Sequence, residues 1–256
     1  MINNHRGALI VNADDWGCTR RITDAIFDCI QLQAVSSASA MVFMEDSERA
    51  AELARANDID IGLHLNLTAA FTANRTASKL DEQQRRTAAY LRSNRIAQTV
   101  FNPALRSAFD YVVKAQLDEF ERLYGRATSR IDGHHHMHLC ENVLFAQLLP
   151  AGTIVRRNFT FRRKEKSTLN RLYRRWQDHR LSRRHLIADY FFALLPIDPG
   201  RLAEFASLAS LHNVEIETHP DLEEEYRFFT AGGFEQIAAF SKAVRGYCLR
   251  RTDRVM

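Results

Sequence analysis

The chain of 256 residues is 46% hydrophobic and 26% charged, with a net charge of +4, which is typical of a globular protein with one sizeable core. We therefore expect a single domain over residues 1–256. Four cysteines without a C-x-x-C pair argue against a disulfide framework and favour a reducing cytoplasm. We also expect neither a signal peptide nor a transmembrane segment, because the apolar run 8–11 is short and two acids follow it.

Short apolar runs alternate with helical patterns along the chain. Strands are expected over 8–11, 35–43, 59–65, 130–139, 153–156, 186–191 and 214–218. Helices are expected over 19–33, 47–56, 109–124, 143–149, 201–211 and 234–245, whereas the polar stretch 68–87 is interpreted as a loop. This alternation predicts parallel βαβ units. Seven strands favour an α/β fold of the (β/α) barrel type, closed, incomplete or distorted, and a doubly wound open sheet is the alternative.

Acidic and histidine residues stand at the ends of three predicted strands. Asp14 and Asp15 follow the first strand, and His64 lies at the end of the third. Alternation along the fourth strand would place four polar residues on one face: Asp132, His134, His136 and His138. The carboxyl ends of parallel strands meet at one edge of a sheet. The sequence therefore predicts a divalent metal site with an open position, built from one carboxylate and at least two imidazoles.

The two adjacent carboxylates are expected to have different roles. Neighbouring side chains at a strand end point in different directions, so one can bind the metal while the other faces the substrate and accepts a proton. This is the apparatus for hydrolysing an amide or an ester. His219, which precedes Pro220 at the end of the last strand, is interpreted either as a proton donor to a leaving amine or as a structural histidine.

Four segments together resemble the YdjC/ChbG-like carbohydrate deacetylases. They are VNADDWG at 11–17, IGLHLNLT at 61–68, IDGHHHMH at 131–138 and THP at 218–220. The resemblance implies a (β/α) barrel related to polysaccharide deacetylases, a magnesium or zinc ion, and removal of acetyl groups from N-acetylated sugars, some of them on membrane-linked lipids. Gly133 stands where the family usually has Ser, and residues 246–249 match its last strand motif weakly.

The same resemblance implies roles for individual residues. Three positions match the family's metal ligands: Asp15, His64 and His134. Asp14 matches the proposed general base, and His219 matches the suspected general acid. Arg156 matches an arginine that faces the pocket. Further substrate contacts or supporting contacts are expected from His136 and His138, while Asp132 is expected to orient a ligand imidazole.

A basic insert at about 157–185 has no family counterpart. Twelve Lys or Arg residues against two acids give residues 156–184 a charge of about +10, which leaves about −6 for the rest of the chain. Four apolar residues lie at i, i+3, i+4 and i+7 of a basic amphipathic helix: Leu169, Leu172, Tyr173 and Trp176. This helix is interpreted as a packing element with a solvated cationic face, as a contact to an anionic membrane or lipid-linked sugar phosphate, or as a nucleic-acid contact. No recognised nucleic-acid motif accompanies it, so we expect no nucleic-acid partner.

The sequence thus predicts a metal-dependent hydrolase that removes acetate from an N-acetylated sugar, lipid-linked or anionic, and leaves an amino sugar. The alternatives are a non-catalytic carbohydrate- or lipid-headgroup-binding protein and a metal-dependent phosphoesterase. We expect a cytoplasmic location, which becomes peripheral at the inner membrane face if the basic helix contacts an anionic membrane. The sequence leaves a homo-oligomer open.

Overall fold

The structure is a computed structural model that describes residues 7–74, 76–94, 96–161 and 165–252, with side chains described up to residue 246. Residues 162–164 of the predicted basic insert lie outside these ranges, as do the side chains of 247–249 in the weakly matched C-terminal motif. The described strands are β1 (Ala8–Trp16), β2 (Ser37–Ala40), β3 (Ile61–Leu65), β4 (Arg130–Gly133), β5 (Ile154–Val155), β6 (Tyr190–Ala193) and β7 (Asn213–Thr218). The described helices are α1 (Arg20–Gln31), α2 (Ser47–Ala56), α3 (Ser78–Ser93), α4 (Arg106–Tyr124), α5 (Glu141–Leu144), α6 (Thr168–Ser182), α7 (Pro199–Leu208), α8 (Glu223–Thr230), α9 (Gly233–Gln236) and α10 (Ala238–Thr252).

The seven strands form one parallel sheet in the order β5-β4-β3-β2-β1-β7-β6, which curls into a half-barrel. Its two edges approach each other without a continuous ladder. Leu186, ahead of β6, bridges Ile154 of β5, and Thr160 exchanges hydrogen bonds with Phe191 of β6. The expected (β/α) barrel is therefore confirmed in an incomplete form.

The sheet separates an apolar layer from a polar one. Val11 and Ala13 of β1 are fully buried in the hydrophobic cluster that the helices cover. Between them, Asn12 points into the curl, where its side chain bonds Ser37 and Ser39 of β2. Because side chains alternate along a strand, Asp14 also points into the curl. The apolar core thus lies outside the sheet, and the interior of the curl is free to hold charged groups.

Most predicted helices are present, and α2 has the predicted bounds. Helix α3 overlaps the stretch 68–87 that we interpret from the sequence as a loop. Its buried face includes the polar residues Gln84 and Thr87, so the sequence lacks the regular spacing of apolar residues that would predict a helix. Gln84 is buried because its Nε2 donates to the carbonyls of Asn66 and Ala69, in the loop after β3. None of the helices in the described part of the chain is long and apolar enough to cross a bilayer.

Candidate metal and catalytic site

The structure brings Asp15, His64 and His134 together at the carboxyl edge of the sheet. Oδ1 of Asp15 lies 3.2 Å from Nε2 of His64 and 3.0 Å from Nδ1 of His134. One ligand atom from each residue lies within 4.8 Å of the other two. These residues are far apart in the sequence, but each follows or ends a different parallel strand, so the fold gathers them at one point.

A turn at the end of β1 aims the Asp15 carboxylate. Asp15 has a left-handed backbone with φ 68°, and Gly17 continues the turn with φ 85°, a conformation that glycine adopts without strain. The carbonyl of Asp15 accepts from the amide of Cys18. Burial opposes ionisation of Asp15, but hydrogen bonds and charge from His134 and His64 outweigh it and hold the pKa of the Asp15 carboxyl below its ordinary value.

Asp132 of β4 fixes the orientation of His64. Its Oδ1 lies 2.8 Å from Nδ1 of the buried His64 ring. Its other oxygen is held by Arg156 at 2.9 Å and by the hydroxyl of Ser39. Burial raises the pKa of Asp132, yet the Arg156 charge and the contact with His64 bring it below its ordinary value. In the neutral ring, the Nδ1 proton donated to Asp132 leaves the lone pair on Nε2, which is the tautomer that a metal ligand needs. In the metal-free protein, burial lowers the pKa of His64, but the carboxylates of Asp14, Asp132 and Asp15 outweigh it and raise that pKa well above its ordinary value.

Arg156 binds Asp14 through two parallel hydrogen bonds, at 2.6 and 2.8 Å. Its Nε donates to Glu215 of β7 at 2.7 Å, and its guanidinium lies 5.0 Å from the centre of the Phe191 ring. The Arg156 side chain is 1% exposed. The residue expected to face the pocket is therefore enclosed, and it balances the interior carboxylates Asp14, Asp132 and Glu215.

The strand predicted over 130–139 is wrong in its second half. β4 ends at Gly133, and residues 134–139 form a tight helical turn in which His135 and His136 have left-handed backbones, with φ 56° and 57°. The four polar side chains consequently do not share one strand face. His134 contacts Asp15, while Nδ1 of His135 lies 3.0 Å from the hydroxyl of Thr68.

The last two histidines of this turn lie apart from each other. His138 is fully buried, and its Nε2 donates to the carbonyl of Arg156 at 3.0 Å, so it is no direct substrate contact. Burial lowers the pKa of His138 to about 4, so the ring is neutral. His136 is 30% exposed and packs against Phe159, and its Nε2 lies 3.4 Å from Glu217.

Glu217 of β7 is a site residue that sequence reasoning missed. Its Oε1 lies 3.5 Å from Nε2 of His219, and one atom each of Asp14, Glu217 and His219 lie within 4.8 Å of one another. Burial, followed by the charge of Asp14, raises the pKa of Glu217 to about 8. The alternating acids Glu215 and Glu217 on a strand that ends in a histidine were the available signal, because both must point into the curl.

His219 is held at the strand end by its backbone. The backbone amide of His219 donates a hydrogen bond of 2.5 Å to Oε2 of Glu225 in α8. The same oxygen also accepts a hydrogen bond from the hydroxyl of Thr218. The imidazole is one-third exposed and so can meet a ligand. Helix α8 was not predicted from the sequence, although it supplies this support.

The donor set of Asp15, His64 and His134 fits a divalent metal ion. Metal–nitrogen and metal–oxygen bonds of about 2.0–2.2 Å allow donor atoms to lie about 3–4 Å apart, as Asp15 does from each imidazole. Two imidazoles and one carboxylate leave further coordination positions open. The fold and this site define a half-barrel α/β protein with a candidate divalent-metal site at its strand ends.

The chain belongs to the YdjC-like protein family, whose sequence profile matches residues 8–246. This confirms the resemblance drawn from the four sequence segments. Proteins named carbohydrate deacetylase are 34% identical over 153 residues in Mus musculus and 36% in Homo sapiens, matching 57% of this chain and 48% and 46% of those proteins. A chitooligosaccharide deacetylase of Yersinia pestis is 31% identical over 144 residues, matching 53% of this chain and 52% of its own length. These matches span about half the length of each relative.

A solved structure shares the fold over nearly its whole length. It is a protein of Enterococcus faecalis described as a candidate cellobiose-phosphate cleavage protein, with a TM-score of 0.61 and 18% identity. The superposition covers 96% of this chain and 95% of that chain. At this identity the likeness bears on the fold alone.

Proposed function

We propose that this protein is a metal-dependent deacetylase that hydrolyses the acetamido group of an N-acetylated sugar. One observation carries the proposal: a metal-ligand triad and a separate cluster of proton-transfer groups meet at one edge of the sheet. The triad is Asp15, His64 and His134, and the second cluster is Asp14, Glu217 and His219. The names of the relatives in mouse, human and Yersinia pestis point to the same reaction.

In this proposal Asp15, His64 and His134 hold the ion, with His64 kept in the required tautomer by Asp132. An ion held there would supply Lewis acidity, which would activate water and the acetyl carbonyl. Asp14 accepts the proton of the attacking water, in an orientation fixed by Arg156 and Asn12. The bidentate contact with Arg156 keeps Asp14 in one place and so reduces the entropy cost of its proton transfer.

His219 completes the reaction by giving a proton to the departing nitrogen. The carbon–nitrogen bond then breaks, and the products are acetate and a free amine. Glu217 lies 3.5 Å from Nε2 of His219 and helps to position the imidazole. Because His219 is one-third exposed and Asp14 is buried, the substrate nitrogen is expected on the solvent side of the site.

The donor set favours zinc or another transition ion over magnesium. Imidazole nitrogen is a common ligand of zinc, whereas magnesium prefers oxygen ligands and retains several waters. The remaining details of the proposal follow the sequence: a single domain over residues 1–256, a lipid-linked or anionic substrate, and a cytoplasmic location. Cys18, Cys29 and Cys140 are free thiols, which agrees with a reducing compartment.

Acetate release is the decisive measurement. The protein is stripped of metal, reconstituted separately with zinc and magnesium, and given N-acetylglucosamine oligomers and a lipid-linked acetamido sugar. We expect metal-dependent acetate release that falls about 10²–10⁴-fold in Asp14→Asn, with the ion still bound. Asp110→Asn, an exposed change on α4, is the matched control and should retain full activity.

Three outcomes would contradict this proposal. Release of phosphate from sugar phosphates without acetate release would favour the phosphoesterase. Sugar binding without turnover by any reconstituted form would favour the non-catalytic binding protein. Full activity in Asp14→Asn would exclude Asp14 as the base.

A further inference from the structure

We infer that helix α6 seats this protein on an anionic lipid surface. The inference goes beyond the proposed function and does not depend on it. It starts from the way α6 lies on the barrel. The residues it buries are Gln177, Asp178 and Leu181, of which two are polar. Its large apolar residues Leu169, Leu172 and Trp176 are 80%, 54% and 51% exposed.

The polar side chains on the inward face of α6 are hydrogen-bonded to the barrel. Asp178 accepts hydrogen bonds from Arg157 and Asn158, and Gln177 donates to the carbonyl of Leu139. These bonds fix the rotation of the helix about its axis. The outward direction of Leu172 and Trp176 is therefore set by the structure, and the stripe cannot turn inward without breaking them.

The outward stripe spans about 10 Å of helix, since Leu169 and Trp176 are seven residues apart at about 1.5 Å each. Phe145 and Leu186, close to the end of α6, are also exposed, at 62% and 64%. A groove of about 460 Å³ lies between the helix and the Phe145 segment and is lined by Arg180, Arg183 and Arg184, among others. The apolar surface is therefore bordered by arginines on its C-terminal side.

The positive charge of this surface favours an anionic binding partner. Within residues 165–186 the structure describes seven basic residues: Lys166, Arg171, Arg174, Arg175, Arg180, Arg183 and Arg184. The two acids of this range are Glu165 and Asp178, and Asp178 is buried against Arg157. Among the described residues, no carboxylate lies within ion-pair distance of Arg171, Arg175 or Arg183.

Apolar side chains flanked by arginines fit the interface of a membrane better than they fit a nucleic acid. Tryptophan and leucine can enter the region between headgroups and acyl chains, while arginine reaches back to the phosphates. A nucleic acid would neutralise the arginines and leave Leu169, Leu172 and Trp176 in water. Arg180 lies 4.6 Å from the Trp176 ring but is already paired with Glu141 at 2.9 Å, so the charge offered to the headgroups comes from Arg171, Arg175 and Arg183.

The docked face would lie beside the candidate active site. A cleft of about 580 Å³ runs from His135 and His136 to Tyr173 and Arg174 on the side of α6. Because His135 follows the proposed metal ligand His134, α6 forms one wall of a cleft that begins next to the candidate site.

Tryptophan fluorescence tests the inference directly, because the chain has two tryptophans in opposite environments. Trp16 is fully buried, with its Nε1 bonded to the carbonyl of Ala50, while Trp176 is half exposed. Vesicles of equal parts phosphatidylglycerol and phosphatidylcholine should shift the emission to the blue and bind the protein in flotation. Vesicles of phosphatidylcholine alone should bind at least tenfold more weakly, as should the anionic vesicles at high salt.

Two paired variants separate the apolar and electrostatic parts. Leu172→Ser with Trp176→Ser, and Arg175→Glu with Arg183→Glu, should each weaken binding to the anionic vesicles at least tenfold. Arg85→Glu with Arg86→Glu, exposed on α3, makes the same change of net charge and should have a much smaller effect. Circular dichroism is expected to be unchanged in all three, since the replaced side chains are exposed.

Two results would overturn the inference. The first is absence of binding to the anionic vesicles at low salt. The second is a dimer in sedimentation velocity that Leu172→Ser with Trp176→Ser dissociates, without vesicle binding by the parent protein. The stripe would then be an interface between two copies of this chain. Neither result bears on acetate release, so failure of this inference is distinguishable from failure of the proposed function.

Discussion

The strand-end site and the surface of α6 are both rich in charged residues, but the charges are buried in the first region and exposed in the second. In the curl of the sheet, Arg156 is enclosed and each of its nitrogens contacts a carboxylate. On α6 and directly after its last residue, Arg175 and Arg183 are exposed and lie next to exposed apolar side chains. The charges of the first region meet partners within the fold, while Arg175 and Arg183 lie at the surface of the molecule.

This difference shows how a local sequence pattern can mislead. Both regions are rich in charged residues, and the amphipathic pattern of α6 alone is typical of a helix that packs its apolar side on a core. In the structure the polar side of α6 faces the barrel instead, because Asp178 accepts hydrogen bonds from Arg157 and Asn158 there. The charge that has partners inside the fold is buried, and the apolar stripe is left outside.

Removal of the central arginine should produce the largest effect. Arg156→Met would leave Asp14, Asp132 and Glu215 in the curl without their cation. Breaking a buried ion-pair network in this way costs about 3–5 kcal/mol of the free energy of unfolding. Urea denaturation of the metal-free protein measures this loss.

Arg175→Met is the matched control for that experiment. It makes the same chemical change on the exposed face of α6, and surface substitutions of this kind usually change stability by less than about 0.5 kcal/mol. If the two variants unfold at the same urea concentration, the contrast between the two regions is wrong. A strongly stabilised Arg156→Met would indicate that apolar packing can replace the network.

The support given to His64 should have the next largest effect. Asp132→Asn keeps a group that can accept from Nδ1 but removes the negative charge that strengthens the imidazole as a ligand. Loss of such a supporting carboxylate typically weakens metal binding about 10–100-fold. Zinc competition with a chromophoric chelator gives this ratio.

Asp178→Asn is a useful comparison for Asp132→Asn, because Asp178 is also a buried carboxylate bonded to an arginine. It lies on α6, away from the three proposed metal ligands, so the zinc affinity of Asp178→Asn should equal that of the parent. Equal losses in the two variants would mean that general destabilisation, not the orientation of His64, controls the affinity.

The sequence was sufficient for the parts of the fold that local patterns specify. Strand–helix alternation predicted the parallel sheet, and Asp15, His64 and His134 were placed by the rule that parallel strands end at one edge. The histidine run was misread because nothing in it marks where β4 stops. Its left-handed residues, His135 and His136, are neither glycine nor asparagine, so the turn was hidden.

Other features depended on contacts across the curl. Arg156 could be expected near the site, but its three carboxylate partners come from β1, β4 and β7, which no short segment reveals. Helix α3 was missed because tertiary hydrogen bonds, not apolar spacing, bury Gln84. Glu217 was missed for the same reason, because its role depends on tertiary contacts with Asp14 and His219.

The titration of Glu217 should make the stability of the protein depend on pH, and this is the smallest of the effects expected from the buried interior. Its pKa of about 8 exceeds the ordinary value of 4.5, so the folded protein keeps a proton that the unfolded chain releases. Its contribution to stability is therefore fully present below about pH 4.5 and is lost as the pH rises to about 8, at up to ~1.4 kcal/mol per pH unit. Glu217→Gln should lack this slope when both proteins are unfolded by urea in the presence of a chelator. Glu223→Gln, an exposed change on α8, should keep it. A difference between parent and Glu217→Gln that does not vary with pH would place the titration elsewhere in the curl.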